Sequence, residues 1–227
     1  MPLLNSNAAT LWGVDGAYTS YFEALLRGHR GRCQAIFEAW LDAPVDVRVL
    51  YQEVVQRSLY EVGTLWEQGR ISVATEHLAT AITESLLNLV YPRLFRQPRI
   101  GKSAVVTCSA NEYHQIGGKM VADLFELNGW RGYFLGANAP RGDLLDLIRD
   151  KKPDVVALSL TVYFHLEALM ETAAALRAEF SAMPILVGGQ AFRWGGRERA
   201  EGIVGVRYLR SLGELELWMN SREPHAV

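Results

Sequence analysis

Residues 109–118, SANEYHQIGG, place His114 two positions after Glu112 and ahead of the glycine pair Gly117-Gly118. A neutral imidazole is a good ligand for a borderline transition metal, and its second nitrogen is normally steered by a carboxylate or a carbonyl. Glu112 is close enough in sequence to accept that second proton and fix the tautomer. Gly117, which has no side chain, would let a bulky ligand approach the start of a helix. Alone, Glu-x-His-x-x-Gly fits a loop histidine beside a helix N-terminus as well as a metal ligand, and these residues leave both readings open.

A second group lies in LWEQGRISVATEH, which holds Trp66 and, further on, Glu76-His77. Gly69 can end one helix and Ser72 can cap the next, so an αα-hairpin would return His77 toward Trp66. Val73, Glu76, His77 and Thr80 then share a face, while Leu78, Ile82, Leu86 and Leu89 form the larger apolar stripe expected to pack. A face with a carboxylate, an imidazole and small residues suits a polar ligand. The same residues singly also fit a core tryptophan and a solvated helix face.

These residues need elements to hold them. Up to about residue 97 the apolar residues recur at helical spacing, which predicts a bundle with helices near 16–27, 30–41, 45–68 and 72–95. The stretch FRQPRIGKS then reads as a linker. Beyond it, the β-rich runs SAVVTCS, RGYFLG, DVVALSL, PILVGG and GVRYL alternate with helical patterns near 115–128, 141–151, 164–180 and 191–201. Strand and helix in alternation predict a parallel sheet covered on both faces, because parallel neighbours need a crossover connection. The expected architecture is α plus α/β: a four-helix bundle cap over residues 1–97, then a five-stranded parallel, flavodoxin-like (Rossmann-like) domain over 102–221. Ligands in such sheets bind at the carboxyl ends of the strands. His114, Ser159-x-Thr161 and Gly188-Gly189 all fall there.

Composition removes several classes. The 227 residues carry a formal net charge of -2 with both signs mixed along the chain, so no basic stripe suits a phosphate backbone and no nucleic-acid partner is expected. Two cysteines, Cys33 and Cys108, are too few for a disulfide framework and read as small buried hydrophobes. The start, MPLLNSNAATLW, lacks a signal-peptide pattern and no apolar run is long enough to span a bilayer, so a cytoplasmic protein without membrane contact is expected. Gly-x-Ser-x-Gly, P-loop and paired zinc-ligand patterns are missing, which leaves hydrolase, nucleotidase and zinc-enzyme readings without support. His29 reads as a solvated turn residue, His165 as a helix-start residue and His225 as part of a C-terminal tail.

The pattern Glu112-x-His114-x-x-Gly117, Ser159-x-Thr161 and Gly188-Gly189 resembles the cobalamin-binding domain of methionine synthase, corrinoid methyltransferases, certain mutases and cobalamin-dependent photoreceptors. The resemblance implies that His114 replaces the cofactor's dimethylbenzimidazole as lower cobalt ligand. It also implies that the displaced nucleotide tail threads into the sheet, where Ser159 and Thr161 supply hydroxyls and the glycines clear volume. Most members carry aspartate where this chain has Glu112. Trp66 with Glu76-His77 resembles the cap of the photoreceptors related to carotenoid-gene repressors, and with it the resemblance covers nearly the whole chain. It implies that Trp66, Val73, Glu76 and His77 meet the upper ligand. In those relatives a histidine directly after the tryptophan can become the upper ligand after light; here that position is Glu67, which leaves His77 as the substitute.

The function expected from the resemblance is a stand-alone photoreceptor or regulatory protein. Adenosylcobalamin or another alkylcobalamin would lie between bundle and sheet, and light would cleave its cobalt–carbon bond. The repressors carry an N-terminal helix-turn-helix domain, whereas this chain starts almost at the cap. Output is therefore expected through a partner protein or self-association, including a homo-oligomer. The competing enzyme reading is a corrinoid shuttle subunit of a methyltransferase system, which bulky Trp66 fits less well. A third reading concerns Trp130, Tyr133, Phe134, Tyr163, Phe164, His165, Phe192, Arg193 and Trp194, expected near one end of the sheet or in the adjoining turns. They fit helix–sheet core and a dimer surface, or a bilin such as biliverdin as second chromophore, since some relatives without a DNA-binding domain hold one.

Overall fold

Ser72 accepts a hydrogen bond from the Thr75 amide at 3.1 Å and starts a helix, and this hairpin of the cap follows the local rules read above. The computed structural model describes residues 8–221, in two compact units divided between Arg93 and Leu94. The segment MPLLNSN and His225 lie outside the described residues.

The first unit is helical. Helix α1 (Ala8–Leu26) begins well before the expected residue 16 and is interrupted at Gly13, whose φ of 62° leaves the helical region. It is followed by α2 (Arg30–Asp42) and by a long stretch built of α3 (Val47–Val49), a π-helix (Leu50–Gln56) and α4 (Arg57–Glu67). Helix α5 (Val73–Leu87) runs through a 3-10 turn (Asn88–Val90) into α6 (Tyr91–Leu94). The π-helix was not expected. It buries Leu50, Tyr51, Val54 and Val55.

Tyr21, Phe37, Trp40, Leu50, Val54 and Ile82 form the buried centre of the bundle. Inside it the Tyr21 hydroxyl lies 3.0 Å from Thr83 Oγ1, which donates to the Ala79 carbonyl at 2.9 Å. Helix α5 packs through Ala79, Ile82, Thr83, Leu86 and Leu87. The expected stripe is corrected by one residue at its start: Leu78 is exposed and lies over Gly28.

In the second unit, among the described residues, five parallel strands form one sheet in the order β2-β1-β3-β4-β5. They are β1 (Ser103–Cys108), β2 (Arg131–Phe134), β3 (Val155–Ser159), β4 (Ile185–Gly188) and β5 (Val206–Tyr208). Three crossovers carry α7 (Ile116–Leu127), α8 (Arg141–Lys151) and α9 (Leu166–Glu179), the last preceded by a 3-10 turn (Tyr163–His165). The fully buried strands β1 and β3 read as continuous apolar runs because helices cover both faces.

Two elements differ from expectation. The helix expected over 191–201 is a 3-10 turn (Gln190–Trp194) and a short helix, α10 (Arg197–Glu201), separated by Gly195 and Gly196 at φ 119° and 91°. A further helix, α11 (Leu212–Asn220), had not been expected. Ser211 caps it, and it buries Trp218 beside Trp130, ring centroids 6.1 Å apart. Trp130 precedes β2, at the amino end of the strand, so it is core and does not join the aromatic residues at the carboxyl ends. Among the described residues no helix is long and apolar enough to cross a membrane.

Candidate functional site

In a sheet of this order the sequence of strand addition reverses between β1 and β3, and the crevice outside the carboxyl ends of those two strands is where such folds bind ligands. Register fixes what stands there. Cys108 pairs with Ser159, and Ser159 pairs with Gly188, so the last residues of β1, β3 and β4 form one row across the edge.

Glu112 joins the two sides of the crevice. It is fully buried, and its Oε1 accepts from the His114 backbone N–H at 2.9 Å and from the His114 ring Nδ1–H at 2.6 Å. Its Oε2 accepts from the amides of Thr161 and Val162 after β3, both at 2.8 Å. Burial by itself raises the Glu112 pKa, but the bonds from the His114 ring, the His114 amide and the Val162 and Thr161 amides outweigh it and hold the carboxyl below its usual range. The group is thus a carboxylate, and His114 carries its proton on Nδ1. Nε2 is then the nitrogen suited to a metal, on a side chain 42% exposed.

Ser159 is buried at the end of β3. A Cβ on Gly117 would stand 3.4 Å from the Ser159 hydroxyl oxygen, and one on Gly118 would meet Phe134 at 3.2 Å, so α7 starts close against the sheet. Gly188 and Gly189 are needed by the chain itself: added Cβ atoms would lie 2.9 Å from the Leu209 carbonyl oxygen and 2.1 Å from that of Leu160. Cys108 is no competing ligand. Burial pushes its thiol up to about 12, and Sγ donates to the His114 carbonyl at 3.7 Å.

In the cap, the Gly69 amide donates to the Trp66 carbonyl at 2.9 Å and the Arg70 amide to the Leu65 carbonyl at 2.9 Å, which closes α4. Trp66, 48% exposed, Val73 and His77 are all outside the bundle core. Glu76 accepts from the Thr80 hydroxyl at 2.8 Å and from Nδ1 of His77. This repeats the chemistry at His114: a carboxylate takes the Nδ1 proton and assigns Nε2 to any metal. Glu67 is exposed, as is His29. His165 is half-buried, and its Nδ1 has no hydrogen-bond partner among the described residues.

Sequence reasoning found Glu112 and His114 but missed Val162, whose contribution is a main-chain amide and leaves no mark on residue type. Among the described residues no cluster of three or more His, Cys, Asp or Glu could hold a bare metal ion.

Comparison with known families agrees. Residues 102–210 match the model of the B12 binding domain, and residues 18–91 match a second B12 binding domain model. Two B12 binding domain models thus match most of the chain between them. The chain is 35% identical over 166 residues to the HTH-type transcriptional repressor CarA of Myxococcus xanthus, covering 70% of the chain and 54% of the repressor. It is 31% identical over 145 residues to CarH of the same organism, covering 63% of the chain and 48% of CarH. The chain therefore spans about half the length of the curated relatives it matches. Among solved structures, the Methanosarcina barkeri monomethylamine corrinoid protein matches with a TM-score of 0.76 at 14% identity, over 91% of this chain and 98% of that one, and so shares the fold.

The residues present fit a corrin. One imidazole has its tautomer set by a buried carboxylate, a glycine opens the start of α7, and the Ser159 hydroxyl stands at the strand edge beside it.

Proposed function

We propose that the chain is a cobalamin-binding photoreceptor and regulatory module that holds adenosylcobalamin through His114 as lower axial ligand. The observation that carries this reading is the Glu112–His114 pair at the crevice between β1 and β3. Bound adenosylcobalamin supplies a cobalt–carbon bond that light can break. Glu112 keeps the His114 ring in the tautomer that ligates through Nε2. Ser159 and Thr161 line the path of the nucleotide tail, and Gly117 leaves it room. Trp66, Val73, Glu76 and His77 are the cap residues that would hold the cofactor's alkyl group, and His77 would offer a second imidazole.

A sensor is favoured over a methyl shuttle by the greater identity to transcriptional repressors. Output passes through a change of packing or of self-association, which requires that the two states differ in their contacts with the lost group. Loading the protein with adenosylcobalamin in the dark and illuminating it should change the absorption spectrum and the elution volume on size exclusion. An unchanged spectrum overturns the proposal, and methyl transfer with turnover from a donor would replace it by the shuttle.

A bilin as second chromophore draws support from Tyr163, Phe164 and Trp194, exposed in the turns after β3 and β4, Phe164 at 93%. Mass spectrometry of pigment co-purified from a bilin-producing host tests it.

A further inference from the structure

Beyond the strand ends, the segment after β2 continues along β1. The Leu135 amide donates to the Val106 carbonyl at 2.9 Å and the Cys108 amide to the Gly136 carbonyl at 3.1 Å. Asn138 follows, in the left-handed region at φ 49°. Three of its polar groups reach the three residues that precede His114. The side-chain oxygen accepts from the Asn111 amide at 2.8 Å, the backbone N–H donates to the Glu112 carbonyl at 3.0 Å, and Nδ2 donates to the Tyr113 hydroxyl at 3.2 Å.

We propose that Asn138 is a positioning residue for the axial histidine: it fixes the turn 111–113 from the β2 side, so that Glu112 can hold His114 from the β3 side. This rests on the reading of His114 as cobalt ligand.

The argument is one of degrees of freedom. On the β3 side the loop is held by Glu112, through Thr161 and Val162, and by the Ser109 amide on the Ser159 carbonyl at 3.2 Å, but none of these bonds takes the Asn111 amide or the Glu112 carbonyl. Asn111 is itself at φ 65°, in the left-handed region that asparagine tolerates better than most residues, and its amide needs an acceptor there. The Asn138 amide satisfies the Asn111 N–H in that conformation and ties the next two residues to the same point. Asparagine suits the task, since it tolerates the left-handed region and carries an acceptor and a donor on one planar group. Both of its side-chain bonds are at the surface, away from the buried core, so their loss should leave the fold intact.

The test uses full-length protein labelled with 15N-histidine and loaded with cob(II)alamin. Electron paramagnetic resonance distinguishes a labelled histidine nitrogen, which splits each line into a doublet, from the cofactor's own 14N base, which gives a triplet. Asn138→Gly keeps the backbone conformation and the backbone N–H but removes both side-chain bonds. Asn138→Asp keeps an acceptor for Asn111 and for the Tyr113 hydroxyl. Unsubstituted protein and Asn138→Asp should give the doublet. Asn138→Gly should lose it and bind on the order of tenfold more weakly, the scale expected for residues that orient a metal ligand, with an unchanged melting temperature of the apoprotein. A full doublet and unchanged affinity in Asn138→Gly overturn the positioning role and leave His114 as ligand. Loss of the doublet in Asn138→Asp to the same extent also overturns it. A triplet in the unsubstituted protein overturns the ligand reading and this inference together.

Discussion

Glu112 accepts two hydrogen bonds from His114 through one oxygen, from the ring at 2.6 Å and from the backbone at 2.9 Å, and gives its other oxygen to the loop after β3. Four N–H donors converge on a buried carboxylate that bridges the two sides of a ligand crevice. The pair thus sets both the tautomer of the ring and the shape of its surroundings.

Glu112→Gln keeps the size and removes one acceptor. Its NH2 faces the His114 side at the smaller cost, because the ring can change tautomer and accept through Nδ1, leaving only the His114 backbone N–H without an acceptor. The expected loss is about 1–3 kcal/mol in the apoprotein, the cost of one unsatisfied buried group, measured as a fall in the urea midpoint. Glu112→Asp, one methylene shorter, should keep the local bonds to His114 and lose the reach to Val162, with a smaller fall. Equal stability of all three proteins would show that the bridge carries no load.

Gly117 and Gly189 look alike in sequence and should behave oppositely. Alanine at 189 would need φ 117° and place its Cβ 2.1 Å from the Leu160 carbonyl oxygen, so Gly189→Ala should cost about 3 kcal/mol or more or fail to fold. Alanine at 117 meets only the Ser159 hydroxyl, at 3.4 Å, and sits in the first turn of a helix, where alanine is the better former. Gly117→Ala should therefore melt as the unsubstituted protein does and yet bind cobalamin more weakly. Normal cobalamin binding in this variant would remove Gly117 from the ligand's path.

The contrast shows what residue types can convey. Strands such as Val155–Ser159 were legible because burial on both faces leaves an apolar run, and the Gly69–Ser72 turn because its caps are chemically marked. The π-helix at Leu50–Gln56 was not, since its buried residues Leu50, Tyr51, Val54 and Val55 fit an ordinary helical stripe equally well. The break at Gly195-Gly196 was passed over inside a helical pattern, and Trp130 was grouped with aromatic residues at the wrong end of the sheet. At the site, the histidine and its carboxylate were legible. The Val162 amide and the Asn138 contacts were not, because a main-chain donor and a left-handed asparagine depend on the fold that places them.

His77 repeats the His114 arrangement, with Nδ1 on Glu76 and Glu76 on Thr80. On the proposed function, His77→Ala should leave dark binding of adenosylcobalamin within about fivefold, since one exposed contact is worth no more than about 1 kcal/mol. It should alter the spectrum of the illuminated protein, where a second imidazole would otherwise take the vacated position. An illuminated spectrum identical to that of the unsubstituted protein assigns the upper face to another group.

Cys33, inside the bundle, gives a pH dependence of fixed sign. Burial pushes its thiol up to about 11, whereas the ordinary value is 9.0. The folded protein therefore keeps a proton that the unfolded chain has begun to lose. Stability linked to this group is complete below pH 9 and declines as pH rises toward 11, by at most about 1.4 kcal/mol per pH unit. The buried Tyr21 hydroxyl, also raised, adds a decline of the same sign beginning near its ordinary value of 10.0. Cys108, raised for the same reason, belongs to the sheet unit and is untouched by a change at Cys33. Cys33→Ala should lower the urea midpoint at about pH 8 through the small cavity it leaves, and should then lose less stability than the unsubstituted protein between about pH 9 and pH 10.5. Parallel declines in the two proteins over that interval would show that the thiol ionises equally in the folded and unfolded states.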